Sequence, residues 1–500
     1  VRIVPKRAAP TDHPRIELDA ALPAPLHAQL YDRLRRAILA GQLPPGARVP
    51  STRTLAAELG VSRGTTSLAY DNLVLEGYLE SRVGRGTTVS RRLPTPTGAS
   101  GPDRRSPAAA PQTPPRRVAA RAGALDGLTN LGPVEGRTGG AFLAGQPALD
   151  QFPYEVWARL VARRARHTLA GFAYYQPAAG HEPLRAAIAA QIGISRGVRC
   201  VPEQIIITAG AQGALDLCAR TLLDPGDAVW VEDPGYFGAY GALLAAGARL
   251  VPAAVDDEGL DVEAARLRCP AARLAVVAPS HQFPTGATMS LRRRLALVAW
   301  AEAAGAWVLE DDYDGEYRFG GRPLTALQGL DRADRVLYLG TFSKVLFPAL
   351  RLGYVVAPPD LAGPLLAARR FIDGHPPILE QMALADFMTE GHYVRHLRRM
   401  LRLYGRRRDL LRRELRARLG DLLEVSAPAA GMHLVGWLPA GVDDERAAGL
   451  AVAAGVFVVP VSRFGVEPPA RGGLVFGFAG VDEAGIRRGV ERLAIALEAL

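Results

Sequence analysis

The sequence predicts a multidomain chain. A small α+β domain comes first, then a linker, then an α/β domain with a mostly parallel sheet and a smaller α+β subdomain at the C-terminal end. Three observations carry this. Helical periodicity in the first 92 residues runs into two short strand-like stretches around glycines. Residues 93–128 are rich in Pro, Ala, Gly, Ser and Arg and have no apolar period. After residue 128, strand and helix signals alternate, which is the pattern of a parallel sheet covered by helices. At 500 residues the chain exceeds one ordinary domain, and its 48% hydrophobic content suffices for a large core.

No apolar stretch reaches membrane-spanning length, and the basic, proline-bearing start lacks a signal-peptide core. Cys200, Cys218 and Cys269 lie far apart, without metal-ligand spacing. A reduced, cytoplasmic protein without a metal is expected. The formal charge of +10 is unevenly placed. Residues 1–92 hold fourteen Arg/Lys against eight Asp/Glu, residues 93–128 five against two, and the remaining 372 residues forty-one against forty. A basic front on a neutral body points to a polyanion partner for the front alone.

In the front domain, Leu26, Leu30, Leu34 and Ile38 recur at helical spacing, and Gly41 with Pro44-Pro45 stops that helix. Ser51 reads as the N-cap of a short helix closed by Gly60. Ser62 caps a third helix that runs to about Glu76 and ends at Gly77. Two short strands around Arg82-Val83-Gly84-Arg85-Gly86 follow. Together these make a winged helix-turn-helix over residues 24–92. Ser62, Arg63, Thr65 and Thr66 open the third helix, where recognition helices meet base edges. Arg48, Ser51 and Arg53 are placed for phosphates, and Arg82 and Arg85 flank a wing tip suited to a minor groove. From Pro25 to Val89 the wording resembles a GntR-type DNA-binding domain nearly end to end.

In the body, strands are expected at Gln204–Thr208, Ala228–Glu232, Leu274–Ala278, Trp307–Glu310 and Val336–Leu339. The large subdomain is placed at about 170–375. The small one, about 376–500, carries an Arg-rich helix (Tyr393–Leu415) and strands near His433–Trp437, Val456–Pro460 and Leu474–Phe478. Each chemically suggestive cluster falls at a strand's C-terminal end, where open α/β sheets bind ligands.

Lysine occurs only twice, at Lys6 and Lys344, among sixty Lys and Arg. A lysine retained where arginine does all other basic duty is kept for what arginine cannot do. Losing a proton near neutral pH and attacking a carbonyl is such a task. Thr341, Ser343 and Arg351 surround Lys344 with hydroxyls and a guanidinium suited to phosphate. Gly210, Ala211 and Gln212 open a helix after a strand, a second place for phosphate. Tyr236 follows the next strand, and Asp311 with Tyr313 closes another.

That order resembles the fold-type I aminotransferases, which use pyridoxal 5′-phosphate (PLP). The resemblance implies that Lys344 forms the Schiff base, Asp311 faces the pyridine nitrogen, Tyr313 bonds the ring's phenolic oxygen and Tyr236 stacks on the ring. Gly210, Ala211, Gln212, Thr341, Ser343 and Arg351 would hold the phosphate, and Tyr175 would reach the neighbouring subunit's phosphate. In Ser280-His281-Gln282-Phe283-Pro284-Thr285-Gly286, Phe283 stands where these enzymes commonly have Asn. A GntR-type front on such a body resembles the MocR/GabR-type regulators. That implies a homodimer, an operator with repeated half-sites, and a small effector acting with PLP. Two other readings stay open: an active aminotransferase with a regulatory DNA-binding domain, and a pure sensor of PLP level.

Enzymes of this type grip a substrate carboxylate with a C-terminal arginine. The corresponding strand here, Gly473-Leu474-Val475-Phe476-Gly477-Phe478, has Val475 in its place, and position 238 is Gly. The expected effector is PLP itself or an amine without that carboxylate, unless Arg463 or Arg471 folds inward.

Overall fold

The structure, a computed structural model, describes residues 2–3, 16–82, 86–93, 118–129, 141–167, 174–320 and 324–500. The chain divides into two compact units, Val1–Pro115 and Arg116–Leu500.

In the first unit, β1 (Arg2–Ile3) pairs antiparallel with β2 (Leu18–Asp19). Helices Leu26–Leu39, Thr52–Leu59 and Arg63–Leu75 follow, then the paired strands β3 (Leu79–Arg82) and β4 (Gly86–Val89). Ser51 Oγ accepts from Thr54 N at 3.1 Å and Ser62 Oγ accepts from Thr65 N at 3.1 Å, so both expected N-caps form. Gly60 closes the second helix in the left-handed conformation at φ +65°, which a side chain would resist. Leu30, Leu34, Leu55, Tyr70, Leu73, Leu79 and Val89 make the core.

The second unit is built on an eight-stranded sheet. Its strands are β5 (Ile205–Thr208), β6 (Ala228–Asp233), β7 (Arg249–Asp256), β8 (Gly259–Leu260), β9 (Leu274–Val277), β10 (Trp307–Asp311), β11 (Val336–Thr341) and β12 (Gly353–Val356). The spatial order is β5-β12-β11-β10-β9-β6-β7-β8. Pairings from β11 through β7 are parallel, while β12 runs against both neighbours and β8 against β7. Segments such as Ile205-Ile206-Ile207 and Leu274-Ala275-Val276-Val277 are apolar at every position because helices cover both faces. β7, β8 and β12 are additions to the expected strands. β7 carries Pro252 at its centre, and β12 is only four residues long after a tight 3-10 turn.

The smaller sheet holds β13 (Glu424–Val425), β14 (His433–Trp437), β15 (Val459–Pro460) and β16 (Gly473–Gly477), antiparallel in the order β13-β14-β16-β15. The long helix His392–Leu419 and helix Glu483–Leu497 pack beside it. Residues 141–147 return to this subdomain. Ala141 bridges Val456, Gly477 N donates to the Phe142 carbonyl at 2.8 Å, and the Phe142 ring meets Phe476 edge-on. A Cβ on Gly477 would lie 2.2 Å from the Leu143 carbonyl oxygen, so only glycine lets this segment approach. Within the stretch expected to be an unstructured linker, Ala120–Thr129 forms a helix on Phe237–Ala246. Leu128 supplies its apolar contact, too little for a visible period. Among the described residues, no helix is long and apolar enough to cross a membrane.

Candidate functional site

The turns after β5, β6, β10 and β11 converge on one cavity of ≈ 250 Å³. It is lined by Ala211, Gln212, Tyr236, Asp311, Tyr313, Thr341, Ser343, Lys344 and Arg351, nine of the eleven expected cofactor contacts. Gly210 lies just behind. Its φ is +75°, and an added Cβ would sit 3.2 Å from the Arg351 guanidinium, so the helix start and the arginine meet only because this residue is glycine. Arg351 donates to the Ala209 carbonyl at 2.9 Å and is itself in the left-handed region at φ +51°. Tyr175 lies apart from the cavity: it is 99% exposed, with its ring edge toward His375.

Lys344 follows β11 and its Nζ donates to the Gly145 carbonyl at 3.0 Å. Desolvation at the cavity wall pulls its pKa down, against the charges of Asp314 and Asp311. Asp311 ends β10 buried inside the protein, and its Oδ1 has no hydrogen-bond partner among the described residues. Burial pushes its pKa up to about 7, with Asp312 and Asp314 adding to the rise and Lys344 opposing it. Its neighbour Asp312 is fully engaged. Arg196 Nε and Nη2 donate to it at 2.6 and 3.0 Å, and the Tyr338 hydroxyl donates at 2.6 Å. Asp312 therefore braces the strand end, while Asp311 is left facing the cavity.

Tyr236 sits at the start of helix Phe237–Ala246, where burial pushes its pKa up to about 12. Phe283 stands edge-on to Tyr236, Tyr313, His433 and Phe464. Glu232 also lines the cavity, and burial raises its pKa to about 8 against hydrogen bonds from Ala278 N and Gln282. The Tyr313 hydroxyl lies 3.0 Å from His281 Nδ1. Sequence reasoning missed Leu143–Gly145, Glu232, Asp314, His433 and Phe464 in the cavity lining, and His281 behind Tyr313 and Asp314, which the fold brings in from as far as two hundred residues along the chain. The signal that was available is Glu310-Asp311-Asp312-Tyr313-Asp314, since four acids at one strand end cannot all be solvated.

The residues present fit PLP. A buried amine, an unpartnered buried carboxylate and a guanidinium at a helix N-terminus are the partners required by its aldehyde, its ring nitrogen and its phosphate.

In the first unit, Arg48, Ser51, Arg53, Ser62, Arg63 and Arg82 are exposed, and Arg82 lies 3.7 Å from Glu80. The Ser62 and Thr65 hydroxyls lie 2.9 Å apart in the cap. Arg85 lies outside the described residues. Thr66 is not on the outer face, contrary to expectation. It is fully buried, and its hydroxyl donates to the Thr52 carbonyl at 2.9 Å, which ties the second helix to the third. Thr66, Ala69, Tyr70 and Leu73 form one i, i+3, i+4, i+7 stripe, so the periodicity itself marks Thr66 as internal.

Residues 142–493 match the family of class I and II aminotransferases, and residues 26–89 match bacterial regulatory proteins of the gntR family. The chain is 43% identical over 483 residues to the probable rhizopine catabolism regulatory protein MocR of Rhizobium meliloti, covering 97% of this chain and 96% of that one. It is 34% identical to the pyridoxine biosynthesis transcriptional regulator PdxR of Corynebacterium glutamicum, covering 94% and 96%. Among solved structures, LysN, the α-aminoadipate aminotransferase of Thermus thermophilus in complex with N-(5′-phosphopyridoxyl)-L-leucine, superposes with a TM-score of 0.67. It shares 34% identity over 72% of this chain and 92% of that one. The chain belongs to the MocR type of GntR-family transcriptional regulators, in which a DNA-binding domain is joined to a class I and II aminotransferase domain. That fold and its solved relatives imply PLP as the cofactor.

Proposed function

We propose that residues 24–92 read an operator, that residues 129–500 hold PLP on Lys344, and that a small effector in the same cavity changes how the operator is bound. The observation that carries the cofactor assignment is the unpartnered, buried Asp311 carboxylate in one cavity with Lys344 and Arg351. When bound, PLP supplies an aldehyde for a primary amine and an electron-withdrawing ring. Lys344 is the amine, and its lowered pKa favours the neutral form. Asp311 would keep the ring nitrogen protonated, and Tyr236 would cover one ring face. The amides of Gly210, Ala211 and Gln212 would hold the phosphate with Thr341, Ser343 and Arg351. The exposed Tyr175 would serve a second subunit's phosphate, making the protein a cytoplasmic homodimer on repeated half-sites.

The effector is proposed to be PLP itself or an amine without a carboxylate. Lys344 and Arg351 are the lysine and arginine among the described residues lining the cavity, and burial lowers the pKa of the lining His433. Arg463 is held by Glu445 at 2.8 Å through both Nε and Nη2, and Arg471 by Glu424 and the Leu438 carbonyl, each at 2.6 Å. Val475 packs with Val435, Val461 and Phe464 behind the cavity wall, where no charge is compensated. A carboxylate there would forgo a charge-assisted pair, worth about 1.5–3 kcal/mol per hydrogen bond.

The test is operator affinity of the full chain, freed of cofactor and then resupplied with PLP, followed by calorimetry of the loaded protein with amines and amino acids. The reading expects PLP to change operator affinity and amines to bind more tightly than matched amino acids. Indifference of operator binding to PLP would refute it. A working aminotransferase is the second reading, favoured by the likeness to LysN. Repeated spectral cycling with a keto acid would establish it.

A further inference from the structure

We propose that His281 is a positioning residue that aims the Tyr313 hydroxyl hydrogen into the cavity, with Asp314 fixing the imidazole's tautomer. The proposal rests on the PLP reading for what Tyr313 then meets, but the cluster's geometry stands without it.

His281 Nδ1 lies 3.1 Å from Asp314 Oδ2 and 3.0 Å from the Tyr313 hydroxyl. One nitrogen thus serves two oxygens, and it carries either a hydrogen or a lone pair. With a lone pair, the Tyr313 hydrogen turns to the ring and away from the cavity. Asp314 is then a buried carboxylate with no donor among the described residues, because its Oδ1 already lacks a partner there. With a hydrogen on Nδ1 shared between the two oxygens, Asp314 is satisfied, and Tyr313 accepts at its oxygen while keeping its own hydrogen for the cavity.

His281 Nε2 decides the matter. It is buried without a partner among the described residues, so a hydrogen there would be an orphaned donor, while a bare lone pair is better tolerated. The neutral ring with hydrogen on Nδ1 is the form that leaves least unpaired. Its seat is fixed by two glycines. A Cβ on Gly431 would fall 1.9 Å from His281 Cε1, and one on Gly286 would fall 3.3 Å from Nε2. The His433 ring lies 4.5 Å away, centroid to centroid, with its Nε2 3.0 Å from the Pro284 carbonyl. Tyr313 itself stays protonated, because burial and then the charges of Asp314 and Asp311 raise its pKa far above the ordinary value. The other titratable groups facing the cluster are Glu232 from β6, Asp312 from the β10 end, His433 from β14 and Lys344 after β11.

Two measurements test this. In the cofactor-free chain with ¹⁵N-labelled histidine, two-bond couplings should report a neutral His281 protonated at Nδ1, with the signal assigned by its loss in His281→Gln. A hydrogen on Nε2, or a charged ring, overturns the proposal. In the PLP-loaded chain, the pH midpoint of the visible band should move by about one unit in Tyr313→Phe and in His281→Phe, and no further in the double variant. His281→Asn, whose amide nitrogen stands near the place of Nδ1, should keep the original midpoint. Additive shifts, or an Asn variant that behaves like Phe, would show a packing role only. Should the unaltered chain give no band with PLP, the cofactor reading fails while the tautomer measurement still decides this one.

Discussion

On the first unit, Arg53, Arg63 and Arg82 stand in water on a small scaffold, and their charges cost nothing to keep. In the cavity of the second unit, Asp311, Asp314 and Glu232 are buried beside Lys344, and two of the three leave an oxygen without a partner among the described residues. The surface binds by releasing counterions and tolerates imprecision. The cavity binds by relieving electrostatic stress already built into the fold, so its residues cannot be exchanged one for another. The same contrast is repeated within two residues of β10, where Asp312 is saturated by Arg196 and Tyr338 while Asp311 is unsatisfied. Buried charge that is paired holds the fold, and buried charge that is unpaired awaits a ligand.

The contrast breaks most violently at Arg196. Removing it in Arg196→Met takes the counter-charge and two hydrogen bonds from the buried Asp312, leaving only the Tyr338 hydroxyl on it, and about 3–5 kcal/mol of stability should be lost in urea unfolding. Asp311→Asn should act in the opposite sense on the cofactor-free chain. A carboxylate whose pKa is raised on folding costs stability as pH rises from the ordinary carboxylate range through about 7. The Asn variant should therefore be more stable than the parent above pH 7 and equal to it near pH 4, by roughly 1–4 kcal/mol at most. It should also bind PLP more weakly. Greater stability at pH 4 instead would show that Asp311 is paired after all.

At the surface the effects should be smaller and differ in kind. Arg63→Ala should cost about 1–3 kcal/mol on the best operator and flatten sequence preference in competition binding. Arg53→Ala should weaken all sequences alike and lower the salt slope by about 1. Should Arg53→Ala discriminate between sequences, it reads bases and the division of labour on this face is wrong.

Much of this was legible in the sequence because the signals are local. Ser51 and Ser62 declare their helices by type and spacing, and the strand runs of the parallel sheet are apolar throughout. Lys344 is conspicuous because arginine holds every other basic position after Lys6. What stayed hidden depends on strand order. His281 meets Tyr313 and Asp314 only because β9 and β10 are neighbours. Gly145 reaches Lys344 only because residues 141–147 join a sheet formed some three hundred residues later. Thr66 was misplaced for the opposite reason. Its position at a helix start suggests DNA, whereas its membership of the buried stripe, an equally local signal, places it inside.

The most direct measurement is covalent. The purified chain is loaded with PLP, reduced with borohydride, digested and mapped by mass spectrometry. A phosphopyridoxyl mass on the peptide containing Lys344, absent from Lys344→Ala and equally absent from Lys344→Arg, is the predicted result. Label elsewhere, or undiminished label in either variant, would contradict the assignment of this cavity as the PLP site.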